Sequence, residues 1–340
     1  MLTIGLAGAG GIARPHLRAY VESEVVTAVA IADPSEQARA AIQSEFGIIK
    51  AAHERFEALL EDPEIPILDL CTPHYLHKPQ AIAAMEAGKD VILEKPMAMS
   101  VAECDEMLAV AERTGRRLFV SMNQRMFPAH IEAKKLLEAE EIGRVFLGVI
   151  NVFGNEMYRM LDPESWKGDW ERAGGGALFD TGYHAVYMMQ HFLGTALTVT
   201  AATKRLLSDI ETKADDTSVV ALDLPDTTLG AITVTYGATG DRWTEERRIV
   251  GTNGSLLIRD DPEDGMPLLL LRRDEIMPVP MATPMHVNPY AIARTLDHFL
   301  DCILHDRPEQ ITAAEARAAV GTCQAAYASE REGRRVPVEL

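Results

Sequence analysis

Leu2-Thr3-Ile4-Gly5-Leu6-Ala7-Gly8-Ala9-Gly10-Gly11-Ile12-Ala13 is the stretch that decides how the chain is read. The apolar run Leu2 to Ala7 stops at Gly8, and a helical pattern with Leu17, Tyr20 and Val21 follows, so a strand, a turn and a helix succeed one another. Gly8 to Ala13 fits G-x-G-x-x-G/A at the opening of that helix, the fingerprint of a dinucleotide-binding βαβ unit. Gly8 permits the tight turn, Gly10 lets the backbone approach a pyrophosphate, and small Ala13 allows close packing. Gly11 and Ile12 complete the turn whose N–H groups face the anion. Asp33 ends the next β-branched run, about 20 residues on, where an acid that reads the ribose is expected. A carboxylate there accepts from a free 2′-hydroxyl and repels a 2′-phosphate, which favours NAD and makes NADP the weaker candidate. Asp33 can also serve only as a capping residue of the helix that follows.

Outward from this stretch, strands and helices alternate. Val25 to Ala32 reads as a strand, Ser35 as the N-cap of a helix closing near Gly47, and Ile65 to Cys71 as the third strand. A helix near His77 to Ala87 takes Pro79 in its first turn and ends at Gly88, and Asp90 to Leu93 is the next strand. Ser100 and Glu103 have capping-box spacing before a helix that ends at Gly115, and Arg117 to Ser121 follows as a strand. The alternation predicts an α/β Rossmann domain, a doubly wound parallel sheet, over residues 1–123. After a connecting helix from Pro128 to Ala139 the pattern changes to strands at Val145 to Val152, Leu197 to Lys204, Thr217 to Leu224 and Leu229 to Tyr236. Asn253-Gly254 reads as a type I′ hairpin turn, and helices near Pro289 to His305 and Ala313 to Glu330 close the chain. Residues 124–340 are therefore expected to form a C-terminal α+β domain around a large, mainly antiparallel open sheet. One sheet face is left for a partner, which suggests a homodimer or homotetramer.

The chain has 340 residues, beyond the size of a typical single core, so two domains are expected. A net charge of -18, from 51 acidic against 33 basic residues, with no basic stripe, argues against nucleic acid and anionic membrane as partners. Four scattered cysteines without CxxC spacing read as reduced thiols. With no export signal visible at the N-terminus and no apolar run of transmembrane length, the expected location is the cytoplasm.

Further motifs carry a family likeness: Thr72-Pro73, His77, Gly88-Lys89, Glu94-Lys95-Pro96, and Trp166-Lys167 followed by Gly174-Gly175-Gly176, Asp180 and His184. With these in place the chain resembles the Gfo/Idh/MocA family, the glucose-fructose oxidoreductase and inositol dehydrogenase relatives, over nearly its whole length. The resemblance implies Lys95, Asp180 and His184 as the catalytic set. It implies that Thr72, Pro73, His77, Glu94, Lys95 and Asn123 join the glycine turn and Asp33 in holding the cofactor. It also implies that Trp166, Lys167, Lys95, Asp180 and His184 meet the substrate. Three positions depart from the family pattern: Lys167 stands where Arg is more usual, His74 replaces a common Asn, and Tyr187 stands where many relatives place an acid.

Oxidation of a secondary alcohol needs a base for the hydroxyl proton as the hydride leaves. His184 is the candidate, and the four-residue spacing puts Asp180 on the same helical face, to orient the imidazole or a substrate hydroxyl. Lys95 can donate to the oxygen as charge develops. Trp166 and Trp170 bracket a polar loop suited to the amphipathic faces of a sugar. His191 lies seven residues past His184, but no cluster of further ligands accompanies it, so no metal is expected. The expected function is an NAD(H)-dependent oxidoreductase acting on a secondary alcohol of a cyclitol, sugar or sugar derivative. The alternatives are an NAD-dependent glycosidase working through transient oxidation, and a non-catalytic NAD-sensing regulator.

Overall fold

The computed structural model describes residues 1–162, 165–207, 212–238, 243–260, 264–273, 275–281 and 288–339. Two compact units emerge, Met1–Asn123 with Pro289–Arg317, and Gln124–Asn288 with Ala318–Leu340.

In the first unit, strands β1 (Leu2–Ala7), β2 (Val26–Ala32), β3 (Ile49–His53), β4 (Ile67–Leu70), β5 (Asp90–Glu94) and β6 (Leu118–Ser121) form a sheet of order β3-β2-β1-β4-β5-β6. Every pairing is parallel. The order reverses between β1 and β4, and ligands of open α/β sheets bind beyond the carboxyl ends of the strands at such a reversal. The glycine turn leaves β1 at that point. β4 and β6 are buried on both faces, which is why they read as unbroken runs rather than alternating ones. Helix ends follow the caps the sequence offers. Ser35 Oγ accepts from Ala38 N at the head of Glu36–Glu45. Ser100 accepts from Glu103 N, while the Glu103 carboxylate reaches back to Met99 N.

Three details differ from the sequence expectation. β3 adds a strand in the interval after the second helix, where Ile49, Lys50, Ala51, Ala52 and His53 offer neither alternation nor an apolar run. The helix after β4 spans His74–Glu86 with Pro73 as N-cap, so Pro79 lies inside it and not in the first turn. Residues 289–317 group with the first unit rather than with the second. Phe299 packs on Phe119 at 4.8 Å between centroids, and Arg117 donates to Cys302 O at 2.6 Å and pairs with Glu309 at 2.6 Å.

The second unit contains β7 (Val145–Phe153), β8 (Thr198–Lys204), β9 (Thr217–Asp223), β10 (Leu229–Thr235), β11 (Thr244–Gly251), β12 (Gly254–Arg259), β13 (Leu268–Arg272), β14 (Glu275–Pro278) and β15 (Val336–Pro337). Among the described residues they order as β14-β13-β12-β11-β7-β10-β9-β8-β15. β7 and β10 are parallel, and the other pairings are antiparallel. Alternation divides the sheet. Ile150, Val152, Val220, Leu222, Ile232 and Val234 are buried on one face, while Val219 and Leu229 on the other are 53% and 54% exposed. The helix Gly182–Leu193 lies on the buried face, its Met189 and Leu193 seated over Gly148.

The β11–β12 hairpin pairs Gly251 with Gly254, so its two-residue loop is Thr252-Asn253, one position before the expected Asn253-Gly254. Gly254 is required by close approach, because a Cβ there would stand 2.6 Å from Leu271 O on β13.

Candidate functional site

The first unit builds a cradle at the end of β1. Gly8 has φ of +93°, and a Cβ on it would stand 2.5 Å from Cys71 O, so the turn accepts only glycine. Gly10 and Gly11 are exposed, with nothing within 4 Å of where a Cβ would be. Helix Ala13–Glu22 starts after Ile12 with no side-chain cap on its N–H groups, while Ala13 is fully buried against the sheet. Asp33 ties the glycine turn to the loop after β2: Oδ2 accepts from Ala9 N at 2.7 Å and Oδ1 from Ser35 N at 2.8 Å, while Ser35 caps the helix that follows. This open, uncapped, glycine-lined helix start fits a dinucleotide pyrophosphate.

Two loops on the same edge of the sheet are stapled by His77. Its Nδ1 lies 2.8 Å from Pro96 O and its Nε2 2.9 Å from Thr72 O, joining the segment after β4 to the one after β5. Burial pushes the pKa of His77 down against the pull of these carbonyls. Pro73 caps the helix that carries His77, and Thr72 Oγ1 donates to Gln80. Lys95 follows Glu94 at the end of β5, donates its backbone N–H to Glu94 Oε2 at 3.2 Å, and precedes a cis Pro96. Asn123 is buried at the start of the 3₁₀ turn Asn123–Met126 just past β6.

Beneath Glu94 sits a charged cluster. His16 is fully buried, with Nδ1 2.7 Å from Asp69 Oδ2 and Nε2 3.1 Å from Glu94 Oε1. Tyr20 OH donates to the same Asp69 oxygen at 2.7 Å. Carboxylates only accept, so both imidazole nitrogens carry protons and the ring is an imidazolium. Burial alone would lower its pKa, but the charge and hydrogen bond of Asp69 outweigh that and hold it well above the usual value. Burial would raise Glu94, but the hydrogen bond and charge of His16, with the charge of Lys95, draw it below its ordinary range.

In the second unit the triple glycine is fixed from below. A Cβ on Gly176 would stand 2.0 Å from Asp215 O, and the Asp215 carboxylate accepts from Gly176 N, Leu178 N, Ser218 Oγ and Tyr327 OH. This clamp starts the short helix Ala177–Asp180 that delivers Asp180. Asp180 Oδ2 pairs with Lys167 Nζ and accepts from Tyr236 OH at 3.0 Å; Thr181 Oγ1 lies 2.8 Å from the same phenol. Burial and the Asp180 charge push the Tyr236 pKa well up, so that phenol stays a donor. Burial raises the neighbouring Glu156 against the pull of Arg159 and Lys167. Trp166 lies under Lys167, 5.3 Å from ring centre to Nζ, whereas Trp170 packs edge-on against Tyr327 at 4.9 Å. His184, one turn beyond Asp180, meets Tyr187 OH through Nδ1 at 2.7 Å.

The sequence-predicted residues thus gather as two groups. Gly8, Gly10, Gly11, Ile12, Asp33, Thr72, Pro73, His77, Glu94, Lys95 and Asn123 lie in the first unit, and Trp166, Lys167, Asp180 and His184 in the second.

The chain's residues 2–122 match the sequence profile of the Gfo/Idh/MocA oxidoreductase family's NAD-binding Rossmann fold, and residues 130–257 match that family's C-terminal domain. The chain belongs to the Gfo/Idh/MocA family. Among curated Gfo/Idh/MocA relatives, levoglucosan dehydrogenase of Pseudarthrobacter phenanthrenivorans is 31% identical over 207 residues, 59% of this chain and 53% of that protein. The match therefore spans about half the length of that relative. Trans-1,2-dihydrobenzene-1,2-diol dehydrogenase of Xenopus tropicalis is 26% identical over 75% of each chain. Among solved structures, the WlbA dehydrogenase from Bordetella pertussis, in complex with NADH and UDP-GlcNAcA, superposes with a TM-score of 0.85 at 27% identity, covering 100% of this chain and 99% of that one. Levoglucosan dehydrogenase in complex with NADH and L-sorbose has a TM-score of 0.90 at 23% identity, over 99% of both chains, which establishes the shared fold.

Several contacts around these candidate residues escape the sequence pattern. Tyr236, Asp215, Tyr327 and Gln124 reach the site from distant strands and helices, and nothing in their local sequence marks them. His16, Asp69 and Cys71 place possible metal-ligand atoms within 4.8 Å of one another. His16 already spends both nitrogens on carboxylates, and burial pushes the Cys71 thiol up to about 12, so the set behaves as a hydrogen-bonded charge cluster. His191 is pushed down to about 3 by burial and by Arg125 and Lys134.

Proposed function

We propose that this protein is an NAD(H)-dependent dehydrogenase that moves a hydride between nicotinamide and a secondary alcohol of a cyclitol, sugar or sugar derivative. The observation that carries the reading is the polar set of the second unit, in which Asp180 is held by Lys167 and Tyr236 one turn before His184. A nucleotide sensor has no use for a braced acid beside a histidine, and this arrangement is what proton transfer at a hydroxyl requires.

NAD bound at the glycine cradle supplies the hydride acceptor. His184 takes the hydroxyl proton at Nε2. Lys95 donates to the reacting oxygen and stabilises its developing negative charge. Asp180, fixed by Lys167 and Tyr236, accepts from a neighbouring hydroxyl and sets the ring orientation, and Trp166 offers an apolar face to the C–H side of the ring. The levoglucosan and dihydrodiol dehydrogenases that this chain resembles are named for cyclic hydroxyl compounds, which supports a ring alcohol as substrate. Asp33 favours NAD over NADP. The exposed face of the second sheet, with Val219 and Leu229, supports a homodimer or homotetramer. The four cysteines, all buried as free thiols, fit a cytoplasmic protein.

The test is incubation of the purified protein with NAD and a panel of cyclitols, anhydrosugars, aldoses, cyclic diols and glycosides, recording reduced nicotinamide and released aglycone. Net reduction with a ring alcohol supports the reading. Aglycone release without net reduction assigns a glycosidase, and NAD binding with neither assigns a sensor.

A further inference from the structure

Tyr187 is 1% exposed and lies three residues after His184 on the helix Gly182–Leu193, so both side chains leave the same face. Its phenol oxygen is 2.7 Å from His184 Nδ1 and 3.1 Å from the backbone N of Gln124. A backbone N–H can only donate, so one lone pair of that oxygen is committed to Gln124.

Gln124 is in turn held rigidly. Its side-chain Nε2 donates to both oxygens of Glu245, at 3.1 and 3.0 Å, and its Oε1 accepts from Arg247 Nη2 at 2.6 Å. Arg247 is fully buried and pairs with Glu245 and, at 3.1 Å, with Asp260; Trp243 Nε1 donates to Glu245 at 3.1 Å. Gln124 O faces His130 Nδ1 at 2.6 Å. The phenol therefore sits on a buried ionic frame built from Glu245 and Arg247 of β11 and from Asp260, the residue after β12.

A neutral imidazole has one N–H. Were the phenol to donate to Nδ1, that proton would be on Nε2, and the nitrogen left for the substrate would be unable to accept. With the proton on Nδ1, Nε2 keeps its lone pair, and after it takes a proton the Nδ1–H bond to the phenol persists unchanged. The same contact then serves both protonation states without rearrangement.

We propose that Tyr187 is the positioning residue of His184: its oxygen accepts from His184 Nδ1–H and Gln124 N–H, fixing the tautomer that leaves Nε2 as the base. The proposal rests on the reading of His184 as the base.

The test is nitrogen-15 NMR of the full chain labelled at histidine, saturated with NAD, with His184 assigned by loss of its signals in His184→Ala. The expected result is a neutral His184 protonated at Nδ1, and conversion to a mixture dominated by the Nε2-protonated form in Tyr187→Phe. On an alcohol that turns over, Tyr187→Phe should lower kcat by roughly tenfold to a hundredfold, as for loss of an orienting partner, with KM and NAD affinity within about twofold. Wild-type His184 protonated at Nε2 overturns the inference whatever the activity. So does an unchanged tautomer in Tyr187→Phe. If no alcohol is oxidised yet the Nδ1 tautomer is present and lost on substitution, the dehydrogenase reading fails while the assigned hydrogen bond stands.

Discussion

Replacing His16 by leucine removes the cation that bridges two acids nearly sealed from water, Asp69 at 0% and Glu94 at 7% exposure. Removing one partner of a buried ion pair costs about 3–5 kcal/mol, because the charge left behind has neither water nor a counter-ion. For a unit of this size each kcal/mol shifts the midpoint by roughly 2–4 °C, so Tm should fall by about 6–20 °C. The loss should depend on pH with a definite sign. The folded pKa of His16 is raised above the ordinary 6.5, so its contribution is complete below that value and is lost as pH rises through the folded value. Glu94 has its folded pKa lowered from 4.5, so its contribution is present above that value and is lost as pH falls through the folded value. The gap between wild type and His16→Leu should therefore be widest between the ordinary values of 4.5 for Glu94 and 6.5 for His16, and close toward strongly alkaline pH. Scanning calorimetry of both proteins across that range is the assay. A His16→Leu protein that melts within about 2 °C of wild type near pH 6 would refute the buried imidazolium, by the same conversion.

Asp33→Ala should erode the preference for NADH over NADPH, read by calorimetric titration of each; retained discrimination would remove Asp33 from reading the ribose. Lys95→Met and His184→Ala should each lower kcat by roughly 10²–10⁴-fold with little change in NAD affinity. Their double variant should lose much less than the product in steady-state kinetics, since residues serving one event are not additive. Light scattering should give a mass above that of the monomer, and a charged substitution at Val219, on the open sheet face, should shift it toward the monomer.

The fold was legible wherever a local pattern coincided with a buried face. β1, the glycine turn and the capped helices after Ser35 and Ser100 are of this kind, because periodicity, a positive-φ glycine and a side-chain cap each leave a mark within a few residues. β3 left none: a half-buried edge strand with Lys50 in it needs only the open hydrogen bonds of β2 to form. The helix Asn288–His305 was recognised, but not that it joins the first unit, since that depends on Phe299 meeting Phe119 across a long span of chain. At the site, Asp180 and His184 could be paired from their spacing. The phenol on Asp180 could not, because Tyr236 lies 56 residues away and its strand reads as ordinary sheet. Tyr187 stood out only as a departure from the family pattern, and its use became readable once Gln124 N was seen on its other side.

Hydride transfer from a carbinol carbon to the cofactor can be followed by isotope transfer. A ring alcohol found active in the panel, carrying deuterium on its carbinol carbon, is incubated with the protein and NAD, and the nicotinamide is analysed by mass spectrometry. The account predicts reduced nicotinamide carrying that deuterium, and loss of the transfer in Lys95→Met and His184→Ala while NAD still binds. Product formed with no deuterium on the nicotinamide, or label transfer undiminished in both variants, would contradict it.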